Sequence, residues 1–247
     1  MYSDKNRLLG DRTATLKPPG GMSDEELVGA IEGRHSVRRY SDRVIAEEVR
    51  GVLDEEVRVC NEASGLAIRV VYDDPEGITA GILQYGVIRG ACNYVVLAGQ
   101  VGAKMDTACG YFGERIVLLA QHLGLNTCWA GLSYNKAKVR AGVERDEKVA
   151  LVVALGYGLN SGRPHRSKPL EKLGRVRGDA QMPPWFKRGL EMAALAPTAM
   201  NQQQFSFELN GDKVQAHKGF GPYSAVDLGI AQYHFEVGAR EGSWSWA

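Results

Sequence analysis

The sequence predicts an α+β fold, in which helices and short strands share one chain of 247 residues. Three observations indicate it. Ser23 and Glu26 form a capping box at the start of an amphipathic run. Several runs rich in Val, Ile and Leu have the length and composition of strands. Asn210-Gly211 separates two apolar runs, which is the strongest hairpin signal in the chain.

The composition is that of a globular protein, with 44% hydrophobic and 24% charged residues. A chain of this length can bury a core without disulfide or metal staples. The formal net charge is only +1, which argues against nucleic acid or a membrane surface as a partner. Any anion that this chain binds must therefore be held by a local cluster of basic side chains.

The four cysteines lie too far apart in the sequence to suggest a metal site, and we interpret them as reduced thiols. Residues 1–21 lack the apolar region of a signal peptide, and no apolar run is long enough to cross a bilayer. These features predict a cytoplasmic protein.

The first part of the chain predicts four helices and four strands from the spacing of its apolar residues. The helices are expected at 24–32, 46–60, 105–123 and 136–141, and the strands at 67–72, 93–98, 126–131 and 149–155. The third helix is apolar on nearly every side, which predicts that it is buried. Between the first two strands, 78–90 predicts loop and short helix.

A polar connector precedes a second, shorter set of elements. A helix is expected at 183–195, a hairpin at 205–217 and a final helix at 226–240. The predicted organisation is one packed unit with four segments: an N-terminal extension (1–22), a first half (23–160), a connector (161–180) and a second half (181–247).

The two halves share a short segment of weak sequence similarity. Residues 113–124 align without gaps on 231–242, and an acidic residue lies upstream of each segment. Internal duplication would explain the alignment, but any two buried helices that end at Gly would also look alike.

The densest polar cluster follows the first helix and comprises Arg34-His35-Ser36-Val37-Arg38-Arg39-Tyr40. Guanidinium groups and a hydroxyl donate the hydrogen bonds that a phosphate monoester accepts. In an extended segment Arg34, Ser36 and Arg38 share one face. A solvated basic linker would have the same composition, so the cluster alone leaves both interpretations open.

A second cluster lies between the helix at 183–195 and the hairpin. Pro197 ends the helix, and small and amide side chains follow it: Thr198, Ala199, Asn201 and Gln203. Such a turn allows the backbone to approach a flat ligand, and the amides offer donors and acceptors to a heterocycle. A plain helix–turn–strand connection is the alternative.

Two weaker candidates remain. Gly131 and Leu132 end a Gly-bounded stretch that permits a tight backbone path, and Arg166 and Lys168 form a further basic patch. The sequence has no P-loop, no Gly-x-Gly-x-x-Gly dinucleotide motif, no Gly-x-Ser-x-Gly elbow and no metal-binding His-Glu-x-x-His. No metal ligand is therefore predicted.

In this order, these motifs resemble those of the FMN-dependent nitroreductase and flavin reductase family. Arg34-His35-Ser36-Val37-Arg38 is similar to its phosphate and flavin motif, and Gly124–Gly131 is similar to its late helix–strand motif. Ala196–Gln203 is similar to its Ala-Pro-Ser-x-x-Asn-x-Gln-Pro-Trp motif, although Gln204 and Phe205 replace the usual Pro and Trp.

The resemblance implies a fold and an assembly. Family members have a mostly antiparallel central sheet flanked by helices, and they dimerise with flavins at the interface. Here the Ala-Pro motif is absent at Cys60–Gly65 and present only in the second half. The chain thus resembles a branch with two fused halves, which implies one FMN between the halves and function as a single chain, with further oligomerisation possible.

The resemblance also implies roles for individual residues. Arg34, His35 and Ser36 would contact the FMN phosphate and ribityl chain, and Arg38 would be the catalytic, flavin-tuning cation near N1. The turn formed by Pro197, Thr198, Ala199, Asn201 and Gln203 would cover the rings. Gly131 and Leu132 would offer backbone contacts, and Arg166 and Lys168 would close on the phosphate.

The implied activity is reduction of a nitroaromatic, quinone or similar small-molecule acceptor by NADH or NADPH. Hydride would pass through flavin N5 in a ping-pong mechanism. Two alternatives stay open: a non-catalytic FMN store or sensor, and an enzyme that acts on another phosphorylated ligand.

Overall fold

The computed structural model of the protein describes residues 16–78, 87–164, 166–178 and 181–247. Within these ranges the chain is an α+β protein with an antiparallel sheet flanked by helices, as predicted. Most of the predicted 78–90 segment and most of the N-terminal extension lie outside the described residues. None of the described helices is long and apolar enough to span a membrane.

The described helices follow the predicted positions closely. They are α1 (Asp24–Gly33), α2 (Glu47–Ser64), α3 (Met105–His122), α4 (Lys136–Ala141), α5 (Leu170–Leu173), α6 (Pro184–Ala193) and α7 (Ser224–Gly238). The capping box of α1 forms as expected: Ser23 Oγ accepts from the Glu26 amide at 3.2 Å, and the Glu26 carboxylate accepts from the Ser23 amide at 2.7 Å.

The strands form two four-stranded sheets. They are β1 (Arg69–Val71), β2 (Asn93–Gln100), β3 (Asn126–Ala130), β4 (Glu147–Gly156), β5 (Gly174–Val176), β6 (Phe205–Asn210), β7 (Lys213–Lys218) and β8 (Ser245–Trp246). The first sheet, with order β1-β2-β4-β3, is wholly antiparallel. The second, with order β5-β6-β7-β8, is mixed because β5 and β8 pair in parallel with the β6–β7 hairpin.

The second sheet extends beyond the predicted hairpin. The predicted connector at 161–180 contains α5 and β5, and β5 pairs with β6. Neither β5 nor β8 has the apolar alternation that would predict a strand, because each is only two or three residues long and gains its hydrogen bonds from the hairpin.

The two helices α3 and α7 cross at the centre of the molecule, and both are buried along most of their length, as predicted for α3. The crossing is reciprocal: a Cβ on Gly110 would collide with the Val226 carbonyl, and a Cβ on Gly229 would collide with the Thr107 carbonyl. Glycine at both positions therefore allows the backbones to touch. The crossing joins the first sheet and its helices to the second.

Candidate functional site

One cleft of about 610 Å³ brings together the two polar segments that the sequence singles out. This volume is within the usual range for small-molecule sites. Its lining comprises Arg34, His35, Ser36, Arg38, Arg39, Asn160, Gly162, Arg163, Pro197, Thr198, Met200 and Asn201. Residues far apart in the chain thus meet on opposite sides of one cleft.

The first wall begins where α1 ends, because Arg34 leaves the helix in an extended conformation. The next residues attach to the first sheet: Ser36 bridges Thr127, and the Val37 amide donates to the Thr127 carbonyl at 3.0 Å. Tyr40 then bridges Gly158, which follows β4. These backbone bonds fix the segment that carries the basic side chains.

The Arg34 guanidinium is buried in this wall and only 3% exposed. Its Nε lies 3.7 Å from Glu114 Oε1, beyond hydrogen-bond distance, and its Nε and Nη1 have no hydrogen-bond partner among the described residues. Burial lowers the pKa of Arg34, and the neighbouring Glu114 partly opposes this shift. A buried cation with unpaired donors is costly unless an anion joins it.

Glu114 is occupied by other donors. The Trp129 indole donates to Oε2 at 3.0 Å, and His234 Nε2 lies 2.9 Å from Oε1. His234 Nδ1 lies 3.0 Å from the Met192 carbonyl, which can only accept, so Nδ1 must carry a proton. One proton must therefore lie between His234 Nε2 and Glu114 Oε1. Wherever it lies, these two side chains together are neutral, so Arg34, Glu114 and His234 carry a net charge of +1.

The opposite wall is the turn after α6. Met200, Asn201 and Gln203 adopt positive φ angles of 52°, 54° and 46°, which cost free energy in residues other than glycine. Side chains hold the turn in place. Thr198 Oγ1 accepts from the Gln203 amide at 3.0 Å, and the Asn201 amide group donates to the Arg166 carbonyl at 2.8 Å.

A carboxylate of α7 also holds this turn. The Ala199 amide donates to Asp227 Oδ1 at 3.0 Å. Burial raises the pKa of Asp227 to about 6, and the hydrogen bond from Ala199 opposes this rise. The turn is therefore fixed by a carboxyl group that titrates close to neutral pH.

The cleft is strongly basic. Four arginines line it, and no Asp or Glu of the described residues does. The described part of the chain also holds no group of three or more His, Cys, Asp or Glu that could bind a metal ion. The arrangement suits an anionic organic ligand.

The cleft lining includes seven of the predicted site residues: Arg34, His35, Ser36, Arg38, Pro197, Thr198 and Asn201. Six others, all in the described part of the chain, lie outside this lining: Gly131, Leu132, Arg166, Lys168, Ala199 and Gln203.

The described contacts of these six residues are as follows. Gln203 is buried, and its side chain bonds the Ala194 carbonyl at 2.7 Å and the Lys168 amide at 2.6 Å. Lys168 Nζ donates back to the Gln203 carbonyl at 3.0 Å. Arg166 supports Asn201 through its carbonyl, Ala199 uses its amide on Asp227, and Gly131 packs against the Tyr223 ring. Leu132 is 57% exposed.

Five lining residues were not among the predicted site residues: Arg39, Asn160, Gly162, Arg163 and Met200. A strict alternation of faces would have put Arg38 and Arg39 on opposite sides, yet both line the cleft. Gly162 and Arg163 fall in the predicted connector, whose basic character was the available signal, and Asn160 is the last residue of the predicted first half.

Comparisons with known proteins agree with this architecture. The chain is similar to a protein from Thermotoga maritima MSB8, described as a "putative nitroreductase", with 24% identity and a TM-score of 0.63, over 87% of this chain and 84% of that one. At this identity the likeness shows the fold alone. A "putative nitroreductase in complex with FMN" from Desulfovibrio desulfuricans is 25% identical over 59% of this chain and 93% of that one, with a TM-score of 0.49. No curated protein matches the chain.

A family model matches residues 26–239, which include both walls of the cleft and both central helices. The description of that family is "Putative TM nitroreductase". Because the match covers most of the chain, this protein belongs to that nitroreductase family.

Proposed function

We propose that this protein is an FMN-dependent oxidoreductase that transfers hydride from NADH or NADPH to a nitroaromatic, quinone or similar small-molecule acceptor. One observation carries the proposal: residues of the basic segment 34–38 and of the turn 197–201 line a single cleft. Membership of the nitroreductase family supports the reaction class.

The residues present fit a ligand with a phosphate group. Arg34 is a buried cation whose Nε and Nη1 have no hydrogen-bond partner among the described residues, and Ser36 adds a hydroxyl to the same cleft lining. The shortage of acceptors around Arg34 is what an anionic ligand would correct. The opposite wall is uncharged and contains Pro197, Thr198 and Asn201, which suits a heterocycle.

The chain's own residues have distinct parts in this proposal. Arg34, His35 and Ser36 hold the phosphate and ribityl chain of FMN. The positive charge of Arg38 would stabilise negative charge on the bound cofactor. The turn at Pro197–Asn201 excludes water from the opposite side. FMN, when bound, supplies the group that accepts and donates hydride.

We also propose that the chain is a fused pair of related halves that binds one FMN and works as a single chain. The order α2, β1, β2 and α3 has a counterpart in α6, β6, β7 and α7: each is a helix, an antiparallel strand pair and a buried helix. The reciprocal glycine contacts between α3 and α7 support a twofold relation between the halves. We further propose that the protein acts in the cytoplasm.

The test is spectroscopic. The purified protein, supplied with FMN, should retain about one equivalent of flavin on gel filtration, and anaerobic NADH or NADPH should bleach the absorbance near 450 nm. Colour without bleaching would favour a non-catalytic FMN store or sensor. Protein that stays colourless with added FMN would exclude both flavin hypotheses and leave an enzyme that acts on another phosphorylated ligand.

A further inference from the structure

The cleft contains more positive charge than FMN requires. Four arginines line it, whereas a phosphate monoester carries about −1.5 to −2 at neutral pH. Glu114, which lies behind Arg34, can offset at most one of these cations. About one positive charge or more is therefore left over, which is enough for a second anionic group.

The surplus lies at the exposed end of the cleft. Arg34 and Pro197 are buried, whereas Arg38, Arg39, Asn160 and Arg163 are exposed. Arg38 is assigned to the cofactor in the proposed function, and we call the other three the rim. Neither Arg39 nor Arg163 forms an ion pair with a carboxylate of the described residues. Two guanidinium groups at the open end are thus available to a ligand that enters after the cofactor.

The backbone bonds the segment that carries Arg39 to the segment that leads to Arg163. The Leu159 amide donates to the Arg39 carbonyl at 2.8 Å, so the two rim segments are bonded directly. Asn160 Oδ1 accepts from the Gly162 amide at 3.0 Å and closes the turn before Arg163. A Cβ on Gly162 would lie 2.7 Å from His35 Cβ, so glycine allows this loop to pack against the first wall.

We propose that Arg39 and Arg163 bind the 2′-phosphate of the electron donor, so that the protein uses NADPH in preference to NADH. This inference rests on the proposed function. Guanidinium forks match a phosphate monoester in geometry and charge, and an arginine near the ribose is a common way to accept a 2′-phosphate. Of the two donors, only NADPH carries this dianionic group.

The experiment uses FMN-loaded protein and compares both donors. We expect kcat/KM to favour NADPH by about tenfold or more, and Arg39→Gln and Arg163→Gln each to reduce that preference by roughly tenfold, the scale of one lost charged hydrogen bond. Arg177→Gln is the matched control, because Arg177 is an exposed arginine of the described chain that lies outside the cleft lining. It should change neither rate.

A second readout does not depend on turnover. Adenosine 2′,5′-bisphosphate should bind with a dissociation constant that rises roughly tenfold in each rim variant, and AMP, which lacks the 2′-phosphate, should bind weakly to all of them. Calorimetric titration measures both constants.

Three results would overturn the inference while leaving the proposed function intact. The first is equal kcat/KM for both donors, and the second is an unchanged preference in the rim variants. The third is an equal loss of kcat/KM for NADH and NADPH, which would assign the rim to the diphosphate that both donors share. If the protein does not bind FMN, the proposed function fails instead, and the bisphosphate titration is made on the free protein. Absent binding, or binding that the rim variants do not weaken, would then overturn the inference.

Discussion

Two of the arginines that the structure describes, Arg34 and Arg115, are buried, and they differ in how their donors are used. Arg115 on α3 is 2% exposed, and it donates to Glu56 at 2.8 and 3.0 Å and to the Lys17 carbonyl at 3.0 Å. Arg34 is equally buried, but its nearest carboxylate is 3.7 Å away and two of its nitrogens have no partner among the described residues.

The difference teaches that burial alone does not distinguish these two cations, whereas the pairing of their donors does. Glu114, which lies near Arg34, and Arg115 are neighbours on α3, and both contact residues of α7. Glu114 contacts His234 beside the cleft. At the other site, Arg115 Cζ lies 5.6 Å from the centroid of the Tyr233 ring. Arg115 is closed off by its ion pair with Glu56, whereas Arg34 has no such pair among the described residues and lines the cleft.

Arg115→Ala should give the largest effect and would break the structural member of the pair. The substitution leaves Glu56 buried without its cation, so we expect the free energy of unfolding to fall by about 3–5 kcal/mol. Urea denaturation measures this loss. FMN affinity of the protein that remains folded should be unchanged. A loss below about 1 kcal/mol, as for a surface pair, would contradict the comparison.

Asp227→Asn extends the comparison to a buried carboxyl group that has no cationic partner among the described residues. Its folded pKa of about 6 exceeds the ordinary 3.8, so its contribution to stability is present below about pH 4 and is lost as pH rises through 6. The asparagine oxygen can still accept from the Ala199 amide.

Between pH 4 and pH 7.5, the free energy of unfolding of the parent should therefore fall by about 2–3 kcal/mol relative to that of the Asn variant. Urea midpoints at half-unit steps of pH measure the difference. A difference between the two proteins that does not depend on pH would show that the carboxyl group titrates normally.

Arg34→Ala tests the open member of the pair. Loss of a charged contact to phosphate should weaken FMN binding by roughly one to two powers of ten. Stability should fall far less than in Arg115→Ala, because Arg34 has unpaired donors in the free protein. Quenching of FMN fluorescence measures the affinity, and riboflavin, which has no phosphate, is the control ligand. Equal weakening of FMN and riboflavin would contradict a phosphate contact.

Glu114→Gln should have the smallest effect. A glutamine can accept from Trp129 and donate to His234 Nε2, so both bonds survive and the net charge of the group stays +1. We expect a stability change within about 1 kcal/mol. Nitrogen NMR of the His234 ring should show a proton only on Nδ1 in the variant. A stability loss on the scale of Arg115→Ala would show that the carboxylate charge itself is required.

The sequence predicted the larger elements because their signals are local. The capping box set the start of α1, Asn210-Gly211 set the β6–β7 hairpin, and the apolar run at 116–120 predicted that α3 is buried. The alignment of α3 with α7 was less exact. Continued to Gly110 at the same offset, it gives Leu228, whereas the reciprocal contacts relate Gly110 to Gly229. Apolar composition does not specify helix register, but a close backbone approach does.

The sequence by itself determined which segments are basic, which turn follows α6 and which helices are buried, since these depend on neighbours along the chain. Only the tertiary structure decided which polar side chains reach the cleft. Gln203 and Lys168 form hydrogen bonds with each other and within the turn, whereas Arg39 and Arg163 reach the rim through contacts between distant segments. Residue type shows what a side chain can bind, but packing and competing hydrogen bonds decide whether it is left available for a ligand.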